Sequence, residues 1–200
     1  MRPLPFSGGP VYALVFWCAF MVWITLEVVA SKTKRASDSS RVHDRGSLVL
    51  IVILWWAGIG ADFLLSLHLP QASIWGERRL AFAIGIALMF SGITLRQYSI
   101  VVLGKYFTFD VAVHSGHSLI ESGPYRYVRH PSYSGALLTL IGFGLALGNW
   151  AGLATALFGM ACAYTYRITV EEAALTTAIG EPYRQYVSRT WRLVPFLFQL

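Results

Sequence analysis

Apolar and polar positions in this chain come in blocks rather than in alternation. The first apolar block runs from about Val11 to Ala30 (VYALVFWCAFMVWITLEVVA), the second from Ser47 to Leu69, and the third from Leu80 to Val102. Two shorter blocks follow, Ala136 to Leu147 and Gly152 to Tyr166, separated only by Gly148, Asn149 and Trp150. A helix needs about 20 apolar residues to cross a bilayer. The pattern therefore predicts an all-α, polytopic integral membrane protein of about five transmembrane helices. The last two are expected as a tight antiparallel hairpin, because their connection is too short for anything else.

Beyond Arg167 the pattern changes. Tyr183, Tyr186, Val187 and Trp191 recur at helical spacing with charges between them, and Gly180 and Pro182 interrupt the helix just before. A cytoplasmic extension of the fifth span, a Gly-Pro bend and a C-terminal interfacial helix are expected. The hairpin would place that extension over the loop Gly123–Gly135. One membrane domain, residues 1–200, accounts for the chain: 1–95 supply spans and loops, and 96–200 hold most of the reactive side chains.

Composition sharpens the class. Of 200 residues, 56% are hydrophobic and 13% are charged, against about 25% charged in soluble domains. Lys and Arg cluster in the first loop (Lys32, Lys34, Arg35, Arg41, Arg45), in the third-to-fourth connection (Lys105, Arg126, Arg129) and in the tail (Arg184, Arg189, Arg192). The other side keeps Arg2, Arg78 and Arg79. The positive-inside rule then gives an N-terminus out, a C-terminus in, and a cytoplasmic site. The net charge of +6 reads as topology plus attraction to lipid headgroups, not as a nucleic-acid surface. The first span is too long and too weakly charged at its front for a cleaved signal peptide, so a signal-anchor is expected. Cys18 and Cys162 lie inside spans, which argues against a disulfide framework and a cysteine metal site. The histidines show no metal-ligand spacing, and no metal is expected.

The stretch GPYRYVRHPSYSG, Gly123 to Gly135, opens the fourth span with more chemistry than an anchor needs. Pro131 suits a first helical turn, where its missing N–H costs nothing. The turn's free N–H groups and the helix dipole suit a carboxylate or phosphate. Tyr125 and Tyr127 fit an interfacial aromatic belt equally well, whereas His130 is not a belt residue. Arg167 and Glu171, four apart, share a helix face; at a span end they form either a structural ion pair or the lining of a polar cavity. Glu172 points away and is expected in solvent. Arg96 ends the third span, either snorkelling or clamping an anion. Asp62, His68 and Glu27 are intramembrane ionisable groups without an assigned role, Asp62 being placed to pair with His68 or to line a cavity. Glycines 135, 142, 144, 148, 152 and 159 allow close helix packing.

Taken in order, LRQYSIVVLGKYF (95–107), GHSLIESGPYRYVRHPSYSG (116–135), RITVEEAAL (167–175), IGEPYRQY (179–186) and RLVP (192–195) resemble the isoprenylcysteine carboxyl methyltransferase family of membrane enzymes. The resemblance covers the C-terminal half. It implies S-adenosyl-L-methionine (SAM) as methyl donor, in a pocket built from His117, Ser118, Leu119, Ile120, Tyr125, His130, Pro131, Ser132, Tyr133 and Glu171. It implies Arg167 facing the methyl acceptor, with Arg96 as a second catalytic arginine. The acceptor it implies is a lipophilic or prenylated molecule, most simply the carboxylate of an isoprenylcysteine. Ala136 to Leu138 and Thr139 lack the aromatic residues found there in the eukaryotic enzymes, which leaves a phospholipid or another small amphiphile as alternative acceptors. An NADPH-dependent sterol-type reductase shares an HP-x-Y segment, but the acidic RxxxEE motif would repel that cofactor's extra phosphate. A non-enzymatic membrane scaffold leaves Arg167 and Glu171, an expensive pair at a span end, without an anchoring purpose.

Overall fold

The computed structural model describes residues 3–33, 40–42, 46–74, 77–109, 112–114 and 119–195. A short helix α1 (Leu4–Ser7) precedes α2 (Pro10–Thr33), α3 (Ser47–His68) and α4 (Arg78–Leu103). Then come α5 (Pro131–Leu147), α6 (Trp150–Ile179) and α7 (Glu181–Arg189). Two three-residue strands, β1 (Ser40–Val42) and β2 (Ala112–His114), pair antiparallel with Arg41 opposite Val113. That ladder ties the first loop's backbone to the connection between α4 and α5. The five long helices coincide with the five apolar blocks. Of them, α2, α3 and the stretch Arg78–Tyr106 are long and apolar enough to cross a membrane by themselves, while α5 has 17 residues. The apolar part of α6 ends at Tyr166, and its turns from Arg167 to Ile179 carry charge.

The hairpin between α5 and α6 turns on Gly148, whose φ of 73° suits a residue without a Cβ. Asn149 then caps α6, accepting from the Gly152 N–H at 3.0 Å. Its amide nitrogen donates to the carbonyls of Leu65 and Leu69, at 3.2 and 2.9 Å, which closes the end of α3. The opposite end of the bundle holds the C-terminus of α4, the start of α5 and the charged turns of α6.

Helices pack most extensively in the pairs α4 with α5 and α3 with α6. Gly85 and Gly92 on α4 meet Gly142 and Gly135 on α5, two glycine pairs seven residues apart on antiparallel helices. A Cβ at Gly85 would lie 2.6 Å from the Ala146 amide nitrogen, and one at Gly135 would lie 2.7 Å from that of Arg96. The hairpin glycines thus serve unequal ends: Gly135 and Gly142 seat α4, whereas Gly144 and Gly152 enclose Asp62 of α3. An aromatic cluster of Phe16, Phe20, Trp23, Phe63 and Phe143 fixes α2 against α3 and α5, with Phe143 centroids 5.3–5.9 Å from the other four. Much of the remaining apolar surface faces outward, including Val11, Leu14, Val101 and Phe158, as helices facing lipid require.

Asp62 does not pair with His68. His68 is exposed, and Asp62 is fully buried with Ser66 Oγ donating to its Oδ1 at 3.4 Å. Six residues apart, the two lie on different faces of α3. Cys18 and Cys162 are free thiols on the exposed helix surfaces.

Candidate functional site

At the charged end, α4, α5, α6 and α7 surround a cavity of about 1140 Å³, part of it open to solvent. The first turn of α5 forms one wall. His130 precedes it, Pro131 begins it, and Ser132 and Tyr133 follow. Gly180, at φ 73°, ends α6, and Pro182 restarts the chain as α7, which lies back over the Gly123–Arg126 turn. The Tyr186 hydroxyl donates to the Tyr125 carbonyl at 2.6 Å. Beyond α7 the chain runs beside residues 127–130: the Arg129 N–H donates to the Trp191 carbonyl at 2.7 Å, and the Trp191 N–H to the Tyr127 carbonyl at 2.9 Å. Tyr183 and Tyr186 are buried and line the cavity, so α7 docks on the site as a strap.

Polar groups on the walls form two linked networks. Tyr133 joins the first: its hydroxyl accepts from Arg167 Nε at 3.1 Å and donates to Glu171 Oε2 at 2.8 Å. Arg167 Nη1 donates to Ser47 Oγ at 2.9 Å, and Nη2 donates to the Phe109 carbonyl. The rings of His130, Tyr133 and Tyr164 stack in series, at 5.7 and 4.8 Å between centroids. Burial raises the Tyr125 hydroxyl well above its usual range, with the Glu171 charge adding to it, so the group remains a neutral donor.

Glu172 organises the second network. It accepts from Arg129 Nε at 3.0 Å and from Arg192 Nη2 at 2.7 Å, and His130 Nε2 lies 3.1 Å away. The expectation that Glu172 is solvated is therefore overturned. A 100° step along α6 turns it from Glu171 towards the 129–130 loop and the C-terminal strap, which cover it. Burial acts to raise its carboxyl, but the His130 hydrogen bond and charge, Arg192 and Arg129 outweigh burial and hold it at about 2.

Of the residues expected at the site, Arg96, Leu119, Ile120, Tyr125, His130, Ser132, Tyr133, Arg167 and Glu171 all line the cavity, and Pro131 sets the turn beneath it. His117 and Ser118 lie outside the described residues. Arg96 is buried and already committed: Nε and Nη2 donate to the two oxygens of Glu27, Nη2 at 2.7 Å, and Nη1 donates to Ser132 Oγ at 2.8 Å. It fastens α2, α4 and α5 together at the cavity floor, and this gives the intramembrane Glu27 its partner. Tyr127 is exposed, with the Arg126 guanidinium 5.9 Å over its ring, an arrangement suited to an interfacial anchor.

Several lining residues escaped the sequence reading: Tyr164, Phe107, Phe109, Arg129, Tyr183 and Tyr186. Tyr164 was legible, since it stands three residues before Arg167 on the same helical face. Phe107 and Phe109 carry no such signal, because their loop's path depends on tertiary contacts.

Fold and site together define a class: a helical membrane protein with a polar, aromatic-walled cavity at one end of the bundle. Residues 84–177, which contain most of that cavity, match the model of the Isoprenylcysteine carboxyl methyltransferase (ICMT) family. The C-terminal half of the chain is thus similar to this family. A probable protein-S-isoprenylcysteine O-methyltransferase of Oryza sativa subsp. indica is 29% identical over 146 residues, covering 70% of this chain and 75% of the relative. The Schizosaccharomyces pombe protein-S-isoprenylcysteine O-methyltransferase is 36% identical over 107 residues, covering 52% of this chain and 44% of that protein. Among solved structures, the eukaryotic intramembrane Ras methyltransferase ICMT shares the fold with a TM-score of 0.60 at 24% identity. The match covers 73% of this chain and 52% of that one, so about half of the solved protein has a counterpart here.

Proposed function

We propose that the chain is a SAM-dependent methyltransferase acting on a lipophilic acceptor, most simply the carboxylate of an isoprenylcysteine-like molecule. The observation that carries this reading is the Arg167–Tyr133–Glu171 relay set in one cavity wall, inside the segment that matches the methyltransferase family. The positive-inside distribution of Lys and Arg supports a cytoplasmic cavity, with the N-terminus outside and the C-terminus inside.

The residues fit SAM by chemistry. Stacked Tyr133 and Tyr164 offer aromatic faces to a sulfonium or an adenine ring, worth about 0.5–2 kcal/mol per cation contact. Glu171 offers an acceptor for an ammonium or a ribose hydroxyl. Arg129 Nη2 and the Tyr183 hydroxyl are buried donors without a partner among the described residues, and both side chains line the cavity, as the carboxylate end of an amino acid would require. When bound, SAM supplies a methyl group on a sulfonium and leaves as a neutral thioether.

For a carboxylate acceptor, the chain's own work is positioning and exclusion of water. The acceptor is already an anion at neutral pH, so the site needs no base. Arg167, anchored by Ser47 and by the Phe109 carbonyl, presents a guanidinium edge to the cavity that can align such an anion. Tyr133 fixes that edge relative to Glu171, so donor and acceptor ends keep one register. Tyr183 and Tyr186 on the strap keep water from the side facing the cytosol.

Calorimetry of the purified protein with S-adenosylhomocysteine, and separately with NADPH, tests the reading. Binding of the thioether without NADPH is expected. NADPH binding alone selects a reductase, and binding of neither rejects both enzymes in favour of a scaffold.

A further inference from the structure

Two unequal pieces of chain wall the cavity beyond the bundle. One is α7, whose Tyr183 and Tyr186 line it. This helix is fastened at and beyond its C-terminal end: Arg129 Nη1 donates to the Val187 and Thr190 carbonyls, and Trp191 and Arg192 bond the backbone of residues 127–130. The other piece is residues 119–122, which lie in no helix or strand and contribute Leu119 and Ile120 to the lining.

Among the described residues, 119–122 have two hydrogen-bonded ties. The Ser122 carbonyl accepts from the Tyr125 N–H at 3.2 Å, a bond local to the turn that follows. The Glu121 carboxylate accepts from Arg189 Nη2 at the end of α7. The turn itself is well seated. It begins at Gly123, whose φ of 57° L side chains rarely adopt, and a Cβ there would lie 3.1 Å from the Tyr98 hydroxyl on α4. The Tyr186 hydroxyl, bonded to the Tyr125 carbonyl, joins α7 to this turn and not to the stretch before it. Residues 119–122 therefore close on α7 through one ion pair.

The Glu121 and Arg189 side chains are 39% and 60% exposed. An exposed pair holds its partners weakly and is screened by salt. Such a contact does little for a fold, but it suits a closure that must open at every turnover. A donor of the SAM type is polar and enters from water, and its thioether product leaves the same way. Opening of a lid sets the rate of such exchange in many enzymes.

We infer that residues 119–122 form a flap over the donor pocket, hinged at Gly123, and that Glu121 and Arg189 form the latch that closes it against the fixed α7. The inference rests on the SAM reading and deepens it, by naming where donor and product pass. Neither latch side chain lines the cavity, so the latch acts on passage and not on affinity.

The test is exchange of S-adenosylhomocysteine on the purified full chain, with association and dissociation rates measured separately. That ligand carries no net charge at neutral pH, so salt does not steer it. In the wild type both rates should rise about 3-fold between about 50 and about 500 mM salt, the range of a screened surface pair. Glu121→Gln and Arg189→Gln should each raise both rates about 3-fold at low salt, keep Kd within about 2-fold and abolish the salt response. Glu121→Arg should exchange faster still, and adding Arg189→Glu to it should restore the wild-type rates. Both positions are exposed, so the fold is not at stake. A dissociation rate that rises alone, with a matching loss of affinity, means that Glu121 helps to hold the ligand and overturns the latch. Unchanged rates in the neutral variants overturn it too, as does a reversed pair that exchanges as fast as Glu121→Arg alone. If the wild type binds no S-adenosylhomocysteine, the SAM reading itself fails, a result distinct from binding at rates that these substitutions leave alone.

Discussion

Helix α5 has two unlike neighbours. Towards α4 it presents Gly135 and Gly142, and the two backbones come so close that no side chain fits between them. Towards α6, its own hairpin partner, it makes a thinner contact and presents Ser132 and Tyr133 to a cavity. In a bilayer the hydrophobic effect does not drive helices together, so association rests on close packing and hydrogen bonds. The α4 side uses the first and frees the α6 side to use the second. Sequence neighbours joined by a two-residue turn are held apart at their far ends because each is packed tightly on another helix, α5 on α4 and α6 on α3. The cavity is the gap that remains.

The strongest way to break this arrangement is to remove the ion pair that pins its floor. Glu27→Ala leaves the Arg96 guanidinium buried beside Ser132 without its counter-charge, and a lost partner in a buried pair costs about 3–5 kcal/mol. Thermal unfolding in detergent should show this as the largest drop of any single substitution discussed. The double variant Glu27→Leu, Arg96→Met should recover most of it, since no charge is then left unpaired. If Glu27→Ala unfolds like the wild type, the pair is not what joins α2 to the site.

Next comes the contrast between the two kinds of glycine. Gly135→Ala forces a Cβ to within 2.7 Å of the Arg96 amide nitrogen, so the α4–α5 backbones must part. Overpacking of this kind costs about 1–3 kcal/mol. A Cβ at Gly159 on α6 would lie 4.0 Å from the Leu54 carbonyl oxygen, an ordinary contact, so Gly159→Ala should be neutral or stabilise by up to about 1 kcal/mol through helix propensity. Equal melting temperatures for the two variants would refute the division of α5 and α6 into close and open faces.

A smaller but more specific effect falls on turnover. Arg167→Ala should lower methyl transfer with little change in S-adenosylhomocysteine affinity, while Glu171→Ala should do the reverse and act mainly on binding. Stability should move less in Glu171→Ala, whose carboxylate is part-exposed and bonded only through Tyr133 among the described residues. Methyl transfer that persists unchanged in both variants would place the reaction elsewhere.

The bundle was legible from the sequence because apolar blocks and turn residues are local signals. Gly148, Asn149 and Trp150 dictated a hairpin, and Gly180 with Pro182 dictated a bend, whatever surrounded them. The cavity's motif residues were legible for the same reason, as RHPSY and RITVEE each sit on one or two helical turns. What escaped were pairings across distance. Glu27 and Arg96 are 69 positions apart, and no spacing rule joins them. Glu172 was misplaced because helical periodicity gives a direction but not what fills it; the stretch 187–193 at and beyond the end of α7 covers this face, held by backbone bonds to residues 127–130 and by Arg129 Nη1 donating to the Val187 and Thr190 carbonyls. Glu171 and Glu172 are adjacent in sequence yet serve different surroundings, one open to the cavity and one closed in by cations.

That last pair supplies the smallest effect and the finest test. Glu172 titrates at about 2 in the folded protein, below the 4.5 of an ordinary glutamate. The folded carboxyl binds its proton less readily than the unfolded one, so the unfolded state takes up more protons as the pH falls. The stabilisation is fully present above about 4.5 and is lost progressively as the pH drops from there towards 2. Unfolding in detergent measured from pH 6 down to pH 3 should therefore show a loss of stability in the wild type that begins near 4.5. Glu172→Gln should start from a lower stability at pH 6 and lose less below 4.5, because the amide has no proton to take up. Parallel acid limbs for wild type and Glu172→Gln would mean that Arg129, His130 and Arg192 do not hold that carboxylate ionised, and the difference drawn between the two glutamates would fall with it.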